Sequence, residues 1–99
     1  MVNVLILLAE ADAEYTAAAE WYETQKDGLG ERFINIIQAR LLLIQQYPER
    51  YPKRKGNFRE APVLIFPYTI IYTFYKSKQI ITVSAIYHGS RNPKKKFRR

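Results

Sequence analysis

The residues best equipped for chemistry stand together near the end of the chain. The stretch "YHGSRNPKKKFRR", Tyr87 to Arg99, holds the only histidine, His88, three residues before Arg91. Lys94, Lys95, Lys96, Arg98 and Arg99 follow. A histidine titrates near neutral pH and can move a proton, and cations beside it can hold a phosphate. Together they could grip a nucleic acid or form part of a site that acts on one. Arg59 and the run Lys53 to Lys55 add positive charge upstream. Each group also has a plainer reading. His88 can cap the end of a sheet, Arg91 can pair with an acid of the fold, and Lys94 to Arg99 can be a solvated end.

Charge is distributed unevenly along the 99 residues. Residues 1–49 hold eight acids and three bases, residues 50–90 one acid and seven bases, and residues 91–99 six bases and no acid. This asymmetry points the second half, and the basic tail 91–99 above all, toward a polyanion or an acidic protein surface. One histidine and no cysteine make a transition-metal site improbable, and no cofactor-binding fingerprint occurs: Gly28 and Gly30 punctuate helices instead. The apolar run Val4 to Ala9 is too short to span a bilayer and lacks a signal-peptide pattern, so a cytoplasmic protein is expected.

These groups need a frame to position them. An apolar fraction of 47% in a chain of this length suits one globular domain, 1–99, with its own core. "VNVLILLAE" reads as a buried strand. From Ala9 the period becomes helical, with Ala11, Tyr15, Ala18 and Tyr22 on one stripe, and "KDGLG" closes that helix. A second helix spans about Glu31 to Tyr47, with Phe33, Ile37, Leu41 and Ile44 inward, and Pro48 stops it. "PERYPKRKGNF" reads as a basic loop. "APVLIF" reads as a strand. "YTIIYTFY" and "IITVSAIY" then make a hairpin turned by "KSKQ", with Tyr68, Ile70, Tyr72 and Phe74 on one face. Tyr68, Tyr72 and Tyr75 could stack on bases, although alternating aromatics also build a core. The order β-α-α-β-β-β predicts an α+β fold, a helical hairpin packed on a small, mostly antiparallel, four-stranded sheet.

That order, with "WYETQKDGLGERF" (Trp21 to Phe33), "FPYTIIY" (Phe66 to Tyr72) and "AIYHGSRNP" (Ala85 to Pro93), resembles the RelE/ParE superfamily of bacterial toxin–antitoxin toxins. The likeness covers almost the whole chain and is strongest to ParE-like plasmid-stabilisation proteins. It implies the toxin of a type II toxin–antitoxin system, held by a cognate antitoxin in a hetero-oligomer. Trp21, Tyr22 and Phe33 fall in the stretch expected to meet that antitoxin. Two target classes follow from the resemblance: DNA gyrase, bound and poisoned by ParE-like members, or ribosome-held mRNA, cut without a metal by RelE-like members. For the second, His88 and Arg91 would be the catalytic residues. For either, Arg59, Arg91, Lys94, Lys95, Lys96, Arg98 and Arg99 would contact the target. The chain departs from the nuclease pattern where an arginine commonly follows the position of Tyr68, since Thr69 stands there. Lysines used by one nuclease branch would fall near Glu60 and Pro62. These departures favour gyrase and a toxin that acts by binding.

Overall fold

The computed structural model describes residues 3–89. Strand β1 (Val4–Leu7) leads into helix α1 (Ala9–Gln25), and α2 (Leu29–Gln46) returns alongside it. Four further strands follow: β2 (Lys53–Lys55), β3 (Phe58–Pro62), β4 (Tyr68–Tyr75) and β5 (Ile80–His88). The sheet order is β1-β5-β4-β3-β2, with β1 parallel to β5 and every other pair antiparallel. The α+β class, the helical hairpin and the β4–β5 hairpin agree with the sequence reading.

The sheet has five strands rather than four. Lys53–Lys55 forms the extra one, inside the segment expected to be a loop, and all three residues are exposed. Alternation of apolar and polar residues is the signal of a half-buried strand. Three cations at a sheet edge carry no such signal, and only the backbone pairing with β3 creates the strand. The expected strand "APVLIF" also shifts. β3 starts earlier, at Phe58, and ends at Pro62. Leu64 and Ile65 then bend out between two anchors, as Val63 donates its N–H to the Tyr68 carbonyl and Tyr68 donates to the Phe66 carbonyl.

The core lies between the helices and one sheet face. Ala11, Ala18, Phe33, Ile37 and Ile44 of the hairpin meet Ile70, Tyr72, Ile81, Val83 and Ile86. Each fully buried aliphatic or aromatic side chain contributes about 1.5–3 kcal/mol by leaving water. A smaller cluster, Ile71, Ala85 and Tyr87 with Phe58, occupies the other face. The two faces keep their alternation along β5 only because the register shifts once. Ile71 pairs with Ala85 and Tyr72 with Val83, leaving Ser84 as the extra residue of a bulge. Its hydroxyl donates to the Ile71 carbonyl at 3.3 Å.

The α1–α2 turn depends on two glycines for different reasons. Gly28 has φ 86°, a left-handed conformation that a side chain would strain. Gly30 lets the helices approach: a Cβ there would lie 2.5 Å from the Ala19 carbonyl oxygen.

Candidate functional site

Cross-strand pairing decides which face each candidate occupies. On β4, Tyr68, Ile70 and Tyr72 belong to the core under the helices. Their partners share that face, so His88, opposite Tyr68, and Arg59, opposite Tyr72, both lie on the helix side. They sit at opposite ends of β4. Four residues of strand separate the two positions, or about 13 Å along the chain.

The other face of β3, β4 and β5 is built from Phe58, Glu60, Pro62, Thr69, Ile71, Thr73, Tyr75, Ile80, Thr82, Ala85 and Tyr87. None of these is a histidine, lysine or arginine. Thr69, Glu60 and Pro62, the positions that differ from the nuclease pattern, are neighbours here through the pairs Glu60–Ile71 and Pro62–Thr69. The Glu60 carboxylate meets the Arg54 guanidinium at 3.6 Å, across the sheet edge.

His88 is half-buried at the rim, its ring 5.2 Å from that of Tyr68 and nearly perpendicular to it. Tyr68 in turn joins an aromatic cluster. Phe33 lies 5.1 Å from both Phe66 and Tyr68, and Tyr22 lies 4.7 Å from Phe66. Trp21 stacks edge-on against Tyr22 at 5.0 Å and is 56% exposed. Edge-to-face pairs of this kind add about 0.5–1.5 kcal/mol beyond burial. Burial raises the Tyr22 phenol pKa, and a hydrogen bond with Tyr68 opposes the rise. The sequence treats the histidine and the Trp21–Phe33 stretch as separate features, and Tyr68 joins them. Phe33 is fully buried and offers no surface to a partner, which corrects the expectation of direct contact there. Its role is to support Tyr22 and Phe66.

Arg59 is tied into the scaffold. Its guanidinium donates to the Tyr51 carbonyl at 2.7 Å and the Glu49 carbonyl at 3.4 Å. Beside it the buried Tyr72 hydroxyl donates to the Pro48 carbonyl at 2.7 Å. These bonds fasten the segment after α2 to the sheet. Around that segment Arg50, Lys53, Arg54 and Lys55 are all exposed, and Arg50 lies over the Tyr47 ring at 5.6 Å. Arg91, Lys94, Lys95, Lys96, Arg98 and Arg99 lie outside the described residues.

Among the described residues no group of three His, Cys, Asp or Glu could hold a metal ion, and no helix is long and apolar enough to cross a membrane. Two features escaped the sequence reading. Glu23 accepts hydrogen bonds from the Gly28 and Gly30 N–H groups at 2.9 and 3.0 Å, satisfying the start of α2. Only the spacing of an acid just before "DGLG" hints at this. The Leu64–Ile65 bend was concealed by its apolar composition, although Pro62 and Pro67 bracket it and interrupt a ladder.

Comparison with known proteins agrees with this geometry. Residues 5–93 match the family described as the ParE toxin of type II toxin–antitoxin system, parDE. A solved structure of a chromosomal ParDE system from P. aeruginosa superposes with a TM-score of 0.73 at 15% identity, covering 87% of this chain and 95% of that one. The intact E. coli RelBE toxin–antitoxin complex gives 0.63 at 13% identity, over 90% and 99% of the two chains. The isolated E. coli RelE toxin gives 0.61 at 14% identity, over 92% and 88%. At these identities the likeness carries the fold. No curated protein matches the chain.

Proposed function

The chain belongs to the ParE toxin family of type II toxin–antitoxin systems, and from that premise we propose that it arrests growth by binding a target, DNA gyrase, rather than by cutting RNA. The observation that carries this reading is the helix-free sheet face. On β3, β4 and β5 it presents no histidine, lysine or arginine among the described residues, and of the cations that border it on β2, Arg54 is paired with Glu60. Phosphoryl chemistry without a metal needs cations aimed at the charge that develops. His88 and Arg59 cannot supply them jointly, since one stands at each end of β4 and Arg59 already holds two backbone carbonyls.

A cognate antitoxin restrains the protein in this reading, forming a hetero-oligomer with it. Trp21, exposed and braced by Tyr22, is one anchor for that partner, because exposed aromatics held rigid by neighbours lose little entropy on binding. The basic residues Arg91, Lys94, Lys95, Lys96, Arg98 and Arg99 are the contacts assigned to the target, whose surface is then acidic or polyanionic.

Expression in a bacterial host tests this. Growth should stop, plasmid from arrested cells should run as relaxed topoisomers, and co-expression of the adjacent reading frame should restore both. Arrest with normal supercoiling and fragmented mRNA would instead support the RelE-like ribonuclease reading.

A further inference from the structure

The bend after β3 exposes two large aliphatic side chains side by side. Leu64 is 67% and Ile65 72% exposed, while Val63 and Phe66 on either side are buried. Ile65 also has φ 77°. For a β-branched residue this left-handed conformation is a genuine outlier, because its branched side chain crowds the backbone. The anchors impose it: Val63 and Tyr68 are hydrogen-bonded across the bend, and Phe66 is packed among Tyr22 and Phe33. Asparagine would fit this backbone with less strain. An exposed isoleucine gains little in the isolated protein from its own burial, so local stability does not account for it. Strain kept at an exposed apolar residue points instead to a partner.

The bend borders a groove of about 240 Å³ lined by Ile36, Ala39, Arg40, Leu43, Leu64 and Ile65. Arg40 is the only charged residue in that lining. It donates to the Tyr51 hydroxyl and lies over the Tyr51 ring, which holds the guanidinium in place and leaves further N–H groups able to donate. The chemistry of an occupant follows: mostly apolar, with a carboxylate opposite Arg40. A second copy of this chain docked symmetrically would bring no acid from this groove to meet Arg40. A nucleic acid would set phosphates against leucine and isoleucine. A protein segment that stays bound through most of the molecule's life is the remaining fit, because this apolar surface would otherwise stay in water.

We propose that the Leu64–Ile65 bend and its groove on α2 seat an apolar, carboxylate-bearing segment of the cognate antitoxin, and that the strained backbone at Ile65 is retained to display its side chain. This rests on the toxin–antitoxin reading above. It names a surface built on α2 and the bend, whereas Trp21 belongs to α1.

Calorimetric titration of the full chain with the protein from the adjacent reading frame tests it, alongside thermal melting of the free chain. Ile65→Asn should weaken binding at least tenfold, the scale of a buried aliphatic anchor, while Tm stays level or rises. Leu64→Ser should weaken binding similarly with Tm nearly unchanged. Arg40→Gln should weaken it less and reduce its salt dependence. Wild-type binding with undiminished affinity in Ile65→Asn and Leu64→Ser would overturn the proposal and leave the toxin–antitoxin reading intact. A fall in Tm for Ile65→Asn would overturn the claim of retained strain. Loss of gyrase inhibition in these variants with antitoxin affinity unchanged would reassign the bend to the target. No binding by the wild type would overturn both readings together.

Discussion

Tyr68 and His88 stand opposite each other on β4 and β5, their rings 5.2 Å apart and nearly perpendicular. The contact places the single histidine on the helix side of the sheet, at one end of an aromatic cluster that runs inward through Tyr22 to Phe33. A histidine held this way contributes packing to the cluster.

His88→Gln should therefore remain toxic, with a stability loss of about 0.5–1.5 kcal/mol from the missing ring contact. Arg91→Ala should harm toxicity more. Growth curves under titrated expression, with melting of the purified variants, measure both. A general acid or base in a ribonuclease would instead cost about 10²–10⁴-fold in rate. Abolished toxicity in a folded His88→Gln protein that still binds antitoxin would restore the nuclease reading.

Glu23 and Gly30 join the two helices where their backbones approach tightly. A Cβ on Gly30 would meet the backbone oxygen of Ala19, which cannot swing aside as a side chain would. Gly30→Ala should cost about 1–3 kcal/mol, the range for overpacking a tight contact. Glu23→Ala should cost about 1 kcal/mol, since its carboxylate caps two N–H groups at the start of α2. Urea midpoints read both. A Gly30→Ala protein as stable as wild type would mean that the hairpin packs more loosely than described.

Burial pushes the Tyr72 phenol up from 10.0 to about 12, with the Arg59 charge pulling the other way. The folded state thus holds a proton that the unfolded chain releases, so the sign is fixed: the stabilisation is full below pH 10 and is lost as pH rises toward 12. The difference is about 3 kcal/mol. Denaturation midpoints of wild type should drop over this window, and Tyr72→Phe should flatten the drop. At neutral pH Tyr72→Phe should cost about 1 kcal/mol by leaving the Pro48 carbonyl without its donor. An identical alkaline profile in the two proteins would refute the assignment.

Deletion of residues 94–99 should weaken target inhibition and reduce its dependence on salt, because five cations leave with the segment. Antitoxin affinity should change far less. Inhibition assays at two ionic strengths separate these effects. Undiminished inhibition would mean that the segment is a solvated tail.

Helices and hairpin were legible in the sequence because their signals are local. The stripe Phe33, Ile37, Leu41 and Ile44 has the helical period, and alternation along Tyr68 to Tyr75 assigns each residue to a face. The edge strand Lys53–Lys55 was not legible, because it forms by backbone pairing with β3 and buries nothing. Likewise, "VLIF" has strand composition, yet two prolines and the Val63–Tyr68 hydrogen bond turn it into a bend. Residue type nominates candidates for the site, and their arrangement is not in the sequence. No spacing in a sequence says that His88 meets Tyr68, that Arg59 is occupied by the carbonyls of Glu49 and Tyr51, or that Phe33 is hidden beneath Tyr22.

Gyrase binding, proposed above in place of RNA cleavage, can be assayed with purified components. Gyrase supercoiling of relaxed plasmid, titrated with the purified chain, tests it most directly. Supercoiling should fail at toxin levels near those of the enzyme and should return when the antitoxin is added. Full supercoiling at a large excess of a preparation that arrests growth in cells would rule out gyrase as the target.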